Sequence, residues 1–189
     1  MGVPDQSISR RPNVRVLAEV AVMVALSSVL YIIKIFTLPQ GGSITFGSMV
    51  PIFVLSLRRG PKVGILAGIV FSFFVLYYEP FVYNPVQYMF DYPLAFGSLG
   101  LAGLFRRRPL IGVGAGISSR FVCHFISGLV FFASFAPTGE SPALYSAIYN
   151  GSYLIPEFAI SAGVIYLLLK RNILTVGMPS ESSRASPAP

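Results

Sequence analysis

The sequence predicts an all-α membrane protein, a bundle of six transmembrane helices with both termini in the cytoplasm. Three observations support this fold class. Apolar residues make up 54% of the 189 positions, charged residues make up only 11%, and the mean hydropathy is +0.71, a composition outside the range of soluble domains. Six long apolar runs follow one another along the chain, and the basic residues cluster in alternate connections between them.

The apolar runs define the predicted helices. They cover residues 14–36, 44–57, 63–78, 85–105, 110–136 and 143–169. A helix that crosses a membrane needs about 20 residues, so the second and third runs are short and the second is the weakest. The last two runs are long enough to tilt. We therefore expect a cytoplasmic tail at residues 1–13, a membrane domain at residues 14–170, and a polar, disordered tail at residues 171–189.

Basic residues mark one end of the predicted bundle. Twelve of the fourteen lysines and arginines precede the first helix, follow the last helix, or lie in the second and fourth connections: Arg10, Arg11, Arg15, Arg58, Arg59, Lys62, Arg106, Arg107, Arg108, Lys170, Arg171 and Arg184. The other three connections contain none. Loops on the cytoplasmic side are enriched in lysine and arginine, so this end is predicted to be cytoplasmic. Anionic lipid then accounts for the net charge of +7 without a nucleic acid partner.

Two basic residues lie inside the predicted helices. Lys34 is close to the outer end of the first helix, where its side chain can extend to the interface. Arg120 is in the fifth helix, and a charge inside the membrane costs roughly 2.5 to 3.5 kcal/mol and generally faces the bundle interior or a wet cavity. Glu157 is expected near the midplane as a packing residue. The other polar residues at membrane depth are Asp91, His124 and Asn150.

One side of the predicted fifth helix combines a cation, a titratable ring, a gap and an aromatic ring. Arg120, His124, Gly128 and Phe132 recur at intervals of four residues, which places them along one face of the helix. Because this helix runs towards the outside, the last three residues lie in the outer half of the membrane.

The neighbouring helices bring further polar groups to the same depth. The fourth and sixth helices enter from outside, which places Asp91, Tyr92, Tyr145 and Asn150 towards their outer ends. Rings, a carboxylate and an amide at one depth predict a pocket open to the outside for a flat, polar, cationic small molecule. The residues alone leave a second interpretation open, in which Asp91 and Arg120 form a structural ion pair and the rings belong to the core.

The sequence disfavours an enzymatic function. It contains one histidine, one cysteine and no HExxH motif, so neither a zinc motif nor an internal disulfide is expected. Ser127 lies three residues from His124, but serines in helices usually bond to their own backbone. No GxxxxGK[ST] motif is present, so any ATP hydrolysis belongs to a partner. A structural membrane subunit without a small-molecule ligand remains an alternative.

Four segments of the chain resemble a known family. They read "PQGGSITFGSMVPIFVLSLRRGPKVGILAG", "NPVQYMFDYPLAFGSLGLAGLF", "RFVCHFISGLVFFASFAPTG" and "YSAIYNGSY". They are similar to the thiamine-specific S-component of energy-coupling factor transporters, a six-helix membrane protein, over about residues 15–170. The resemblance implies thiamine as the ligand and no cofactor. Physical reasoning alone leaves riboflavin, biotin or a thiamine precursor open.

The resemblance also implies which residues bind the ligand. The chain has no tryptophan, so Phe132 takes the place of a pocket tryptophan and Tyr83 is expected to supply a further ring. The acidic residue of the site is Asp91, where the family has glutamate. The full set that the resemblance implies is Asp91, Tyr92, Arg120, His124, Gly128, Phe132, Tyr145, Asn150 and Tyr83.

The first helix carries a face of small residues. Ala18, Ala21 and Ala25 share one side of it, and small residues at such spacing allow another helix to approach closely. Packing inside the bundle explains this pattern as well as docking does. The resemblance implies that these alanines dock onto a transmembrane coupling subunit, which is joined to two ATPase subunits.

Overall fold

The structure is a computed structural model that describes residues 14–174, and within that range it contains six principal helices and one β-hairpin. In chain order the elements are α1 (Val14–Ile32), β1 (Lys34–Thr37), β2 (Ser43–Thr45), α2 (Val50–Arg59), α3 (Pro61–Tyr78), α4 (residues 85–105), α5 (Pro109–Phe131) and α6 (Pro142–Lys170). The strands pair antiparallel. The predicted tail at residues 1–13, and residues 175–189 of the tail predicted at 171–189, lie outside the described residues.

Helix α4 is irregular along its length. It begins with an α-helical turn (Pro85–Met89), continues as a π-helical turn (Phe90–Leu94) and a second α-helical turn (Ala95–Ser98), and ends as a 3₁₀ helix (Leu99–Phe105). Pro93 lies inside the π-helical turn. A proline has no N–H to donate and its ring crowds the preceding turn, and π-helical turns often occur at functional sites. The distortion therefore surrounds Asp91.

Four of the described helices, α1, α3, α5 and α6, are long and apolar enough to cross a membrane. Three predicted helix boundaries were wrong. The first helix ends at Ile32 rather than at residue 36, because residues 34–37 form β1, and the fifth ends at Phe131 rather than at residue 136. The predicted run 44–57 begins inside β2 and contains only part of α2, whose ten residues span about 15 Å at 1.5 Å per residue. Glycines 41 and 47, with φ of 85° and 82°, make turns that hydropathy does not reveal.

The hairpin is attached to α6 by Glu157. Its Oε1 accepts hydrogen bonds from the backbone N–H of Thr45 at 2.5 Å and from the Thr45 hydroxyl at 2.7 Å. Glu157 is only 2% exposed, and hydrogen bonds to a buried carboxylate are among the strong ones. The residue expected to serve packing thus holds β2 against the bundle.

Helix α2 forms the centre of the core. Ile52, Phe53, Leu55 and Leu57 are completely buried, and α2 packs against α1, α3 and the 3₁₀ part of α4. Burial of such side chains contributes roughly 1.5 to 3 kcal/mol each in an aqueous reference. A short helix enclosed by longer ones explains why its apolar run was difficult to classify from the sequence.

Helices α3 and α4 approach each other through glycines. A Cβ atom added at Gly68 would lie 2.1 Å from the carbonyl oxygen of Phe96, and one added at Gly100 would lie 2.2 Å from the backbone nitrogen of Ile65. Neither position has room for a methyl group, so the two backbones are in direct contact. Small residues at helix interfaces are typical of membrane bundles, where close packing replaces the hydrophobic effect.

The basic end of the bundle is held together by charge. Glu19 of α1 accepts from the Arg59 side chain at 2.5 and 2.6 Å and lies 3.4 Å from Arg58. The Arg106 guanidinium donates to the carbonyl oxygen of Leu57 at 2.8 Å and to that of Arg58. These contacts join α1, the end of α2 and the end of α4, opposite the hairpin.

The close contact between α3 and α4 predicts that added bulk at Gly68 lowers the stability of the protein. Gly68→Ala should destabilise the protein by about 1 to 3 kcal/mol, because the added methyl group must push the Phe96 carbonyl away. Gly163→Ala in α6 is the matched control, since a Cβ atom added there would have no neighbour within 4 Å. Thermal unfolding of both variants in one detergent checks this. Equal melting temperatures would mean that the two helices separate without cost.

Candidate functional site

A cavity lies at the end of the bundle opposite the basic residues, between the hairpin turn and helices α4, α5 and α6. Tyr83 does not line it. That ring is 64% exposed and packs edge-on against Phe81 and Phe132, with centroids 5.1 and 5.7 Å apart. The other residues expected at a site all contribute to the cavity wall: Asp91, Tyr92, Arg120, His124, Gly128, Phe132, Tyr145 and Asn150.

The Asp91 carboxylate is held in the cavity wall by three hydrogen-bond donors. Its carboxylate accepts from Gln87 Nε2 at 2.6 Å, from Ser127 Oγ at 2.8 Å and from His124 Nδ1 at 3.0 Å. The side chain is 15% exposed. A carboxylate offers about four lone-pair positions, so three donors from two helices fix its orientation and leave about one position free. Ser127 therefore bonds to Asp91, contrary to the expectation that it would bond to its own backbone.

Arg120 reaches Asp91 only through His124. Arg120 Nε donates to His124 Nε2 at 3.1 Å. Arginine has no acceptor, so Nε2 must be the unprotonated ring nitrogen, and Nδ1 carries the hydrogen that is donated to Asp91. Within residues 14–174 the direct ion pair of the alternative interpretation is not formed, since a neutral imidazole lies between the two charges.

Arg120 is held firmly at the floor of the cavity. Its guanidinium carbon lies 4.1 Å from the centroid of the Phe96 ring, and its Nη1 is 2.9 Å from the Met49 sulfur. A guanidinium over an aromatic face is attracted by the ring quadrupole. Because the cation has contacts on three sides, it forms a fixed positive end of the cavity.

A loop after α3 supplies an aromatic wall. The Tyr92 hydroxyl accepts from the Phe81 N–H and donates to the Glu79 carbonyl, each at 2.9 Å. The Gln87 amide donates to the Phe81 carbonyl and accepts from the Tyr83 N–H, each at 3.0 Å. The Phe81 ring then stacks on Phe132 with centroids 5.8 Å apart and planes at 18°. Tyr92 and Gln87 thus position the loop as well as the cavity.

Helix α6 contributes a row of tyrosines. Tyr145, Tyr149 and Tyr153 are one turn apart, with successive centroids 6.1 and 6.0 Å apart. The Tyr149 hydroxyl accepts from the Gly42 N–H at 3.1 Å. A Cβ atom at Gly42 would lie 2.8 Å from the Tyr153 ring. The hairpin turn therefore lies directly on this row and closes one side of the cavity.

Gly128 and Asn150 hold α5 and α6 together. A Cβ atom at Gly128 would lie 2.2 Å from the Ser146 hydroxyl, so the missing side chain permits close contact between the two helices. The gap that the sequence indicated at Gly128 is therefore filled by α6 and is not free space for a ligand ring. Asn150 Nδ2 donates to the Ser146 carbonyl at 2.9 Å, and its Oδ1 accepts from the Tyr153 hydroxyl at 2.9 Å. Both residues fix the wall behind the tyrosine row.

Several wall residues were missed by sequence reasoning. Gln87 lies four residues before Asp91 on the same helix, and this spacing could have identified it. Phe81 and Glu79 lie in a loop, where no periodic pattern reports on orientation. The glycines at 41 and 42 lie in a turn that was expected to be a plain connection.

The arrangement suits binding rather than bond breaking. Aromatic faces, one fixed carboxylate and one fixed guanidinium can stack against and hydrogen-bond to a flat polar molecule. Ser127 donates to Asp91 rather than to His124, so no activated hydroxyl is formed. Among the described residues, no group of three or more histidine, cysteine or acidic side chains could hold a metal ion.

Comparisons with known proteins agree with this geometry. The family model described as thiamine transporter protein (Thia_YuaJ) matches residues 17–176. A relative from Bacillus subtilis, named thiamine transporter ThiT, is 36% identical over 171 residues, covering 80% of this chain and 88% of the relative. A protein of the same name from Lacticaseibacillus paracasei is 29% identical over 174 residues, covering 82% and 86%.

A solved structure shares the fold. It is described as native-SAD phasing for ThiT from Listeria monocytogenes, and it superposes with a TM-score of 0.78 at 23% identity, covering 88% of this chain and 98% of that chain. The matched family model covers most of the described residues, including every helix that lines the cavity. The chain belongs to the thiamine transporter protein family.

Proposed function

We propose that this chain is the thiamine-binding subunit of an energy-coupling factor importer, which captures the vitamin outside the cell and delivers it through an ATPase-coupled partner module. The single observation that carries the proposal is the cavity that combines the fixed Asp91 carboxylate with stacked aromatic walls. The names of the relatives support thiamine as its ligand.

Thiamine matches the chemistry of this cavity. The molecule joins an aminopyrimidine, which has donors and acceptors along its edge, to a positively charged thiazolium ring. The remaining acceptor position of Asp91 suits the amino group, and the rings of Phe81, Phe132 and Tyr149 suit stacking and cation–π contacts. The relatives are named as transporters, which supports a role in transport rather than catalysis.

The chain is a multi-pass protein of the cell membrane. We propose that it crosses the membrane six times, with both termini in the cytoplasm. In this arrangement the short α2 and the hairpin above it together make one crossing, and the irregular α4 makes another. The clustering of basic residues at the end opposite the cavity supports this orientation.

The alanine face of α1 is available for a partner. Ala18, Ala21 and Ala25 are all exposed, so they do not pack inside the bundle. Val22 and Leu26 beside them are 63% and 46% exposed. We propose that this face docks onto the transmembrane coupling subunit, which in turn carries two ATPase subunits.

Titration of the purified protein with thiamine tests the proposed ligand. Thiamine should bind with much higher affinity than riboflavin or biotin, which serve as controls of similar size. Tight binding of either control with no binding of thiamine would overturn the proposal, and no binding of any of the three would favour a structural subunit.

The same titration tests Asp91. Asp91→Asn should weaken thiamine binding by about 2 to 3 kcal/mol, the scale for losing a charge-assisted hydrogen bond in a desolvated site. Glu140→Gln, which removes a negative charge from the connection between α5 and α6, should leave the affinity unchanged. Melting temperatures must be measured in parallel, because an affinity loss that follows unfolding would assign Asp91 a structural role only.

The alanine face can be tested by adding bulk. Ala21→Leu should leave thiamine binding by the isolated subunit nearly unchanged and strongly reduce ATP-dependent uptake, since the larger side chain prevents close approach of another helix. Val122→Leu, which adds bulk at a position of α5 that is 52% exposed and away from α1, is the control and should affect neither activity. Equal loss of binding and uptake in Ala21→Leu would argue against docking at this face.

Cysteine labelling tests the orientation. In a Cys123→Ser background, Glu140→Cys should react with a membrane-impermeant reagent added to intact cells, and Arg107→Cys should react only after the cells are opened. These expectations follow from the proposed topology, since the two residues lie at opposite ends of the bundle. Labelling of Arg107→Cys in intact cells would mean that the chain has the opposite orientation, and the proposed direction of transport would then be reversed.

A further inference from the structure

The ammonium group of Lys34 lies inside a small cage at the end of α3. It forms an ion pair with Glu79 and lies 5.0 Å from the centroid of the Tyr31 ring and 5.8 Å from that of Tyr78. The Lys34 side chain is only 14% exposed. We call Tyr31, Tyr78 and Glu79 the cation cage.

The cation cage is rigidly built. The Tyr31 hydroxyl donates to Glu79 Oε2 at 2.9 Å, which fixes the carboxylate. The Tyr78 ring stacks on Phe74 with centroids 6.1 Å apart and planes at 8°. Tyr31 is itself buried, with edge-on contacts to Phe71 and Tyr78. Two oriented aromatic rings and a carboxylate are the groups by which proteins recognise organic cations.

The cage adjoins the cavity, because Tyr31 and Glu79 also line the cavity wall. Glu79 is 34% exposed and Tyr78 is 44% exposed, so two of the three cage residues present surface outside the bundle interior. The two acids differ in their partners. Asp91 is held by three donors and lies close to the fixed Arg120, whereas the cation that faces Glu79 is at the end of a flexible lysine stem.

We propose that the cation cage is an entry subsite for the positively charged ring of the ligand, and that Lys34 is its internal occupant. An arriving cation displaces the Lys34 ammonium from Tyr31, Tyr78 and Glu79, and then moves into the adjoining cavity. The cage attracts the ligand by charge before the deeper contacts form. This inference rests on the proposed function, since it requires a cationic ligand.

The experiment compares two ligands that differ in charge. One is thiamine, and the other is an isostere in which a neutral thiophene replaces the thiazolium. Association and dissociation rates can be followed by stopped-flow tyrosine fluorescence, because the chain has ten tyrosines and no tryptophan. Glu79→Gln should slow thiamine association by about tenfold, the scale of electrostatic steering, and should change association of the neutral isostere by less than about twofold.

A matched variant separates the cage from the general charge of the outer surface. Glu140→Gln removes the same charge from another outer connection and should leave both association rates unchanged. Loss of the ion pair with Lys34 can also loosen the hairpin in Glu79→Gln. A looser hairpin would raise the dissociation rates of both ligands alike. The ratio of the association rate of thiamine to that of the neutral isostere therefore reports on the cage alone.

Two further substitutions test the occupant and the rings. Lys34→Met removes the ammonium from the cage while keeping an unbranched side chain only one atom shorter, and should speed thiamine association by about threefold relative to the isostere. Tyr78→Leu should slow thiamine selectively, and Tyr78→Phe should restore the rate, because cation–π attraction needs the ring and not the hydroxyl.

The outcomes distinguish this inference from the proposed function. If the unaltered protein binds thiamine but Glu79→Gln slows both ligands equally, or slows neither, the cage is not an entry subsite and the ligand assignment stands. If the unaltered protein does not bind thiamine in the titration above, the proposed function itself is wrong.

Discussion

The buried carboxylate of Asp91 is the interaction on which the rest of the site depends. A charge in an apolar bundle is tolerated only when donors replace its lost water, and here Gln87, Ser127 and His124 supply them. Because these donors come from both α4 and α5, the two helices must keep one register at this depth. Asp91 lies inside the π-helical turn Phe90–Leu94 and faces α5, and Gln87, which also binds the backbone of the preceding loop, extends the same order to the aromatic wall.

The hairpin completes the cavity by a different means. Its strands contribute little to the core, since β1 is largely exposed, so its position depends on a few polar contacts. Glu157 bonds to Thr45 of β2, Tyr149 bonds to Gly42 in the turn, and Glu79 pairs with Lys34 of β1. The first contact is buried and the last is partly exposed, so the hairpin is most firmly attached through β2 and α6.

Hydropathy predicted the long helices because lipid contact requires apolar surface along about 20 residues. The cost of intramembrane charge identified Asp91, Arg120 and His124, although their order, with His124 in the middle, required the structure. The hairpin was missed because its strands are only four and three residues long, and strands this short cannot be distinguished from a helix end by hydropathy. Phe81 and Glu79 were missed for another reason. They lie in a loop, where tertiary contacts such as the hydrogen bonds from Tyr92 and Gln87, which no sequence period reveals, determine where they face.

The arrangement of four charged groups explains why a cationic ligand is compatible with a site that contains an arginine. Arg120 is separated from Asp91 by the His124 ring, and Lys34 pairs directly with Glu79 at a separate place. Separation matters because a permanent cation cannot replace Arg120, which is fixed by Phe96, Met49 and His124. It can replace Lys34, whose ammonium is held by an ion pair and two ring faces at the end of a flexible chain. The fixed group of Asp91, His124 and Arg120 therefore orients the neutral, hydrogen-bonding end of a ligand. The exchangeable pair of Lys34 and Glu79 meets the charge of the ligand, so the Glu79 carboxylate keeps a cationic partner when Lys34 leaves.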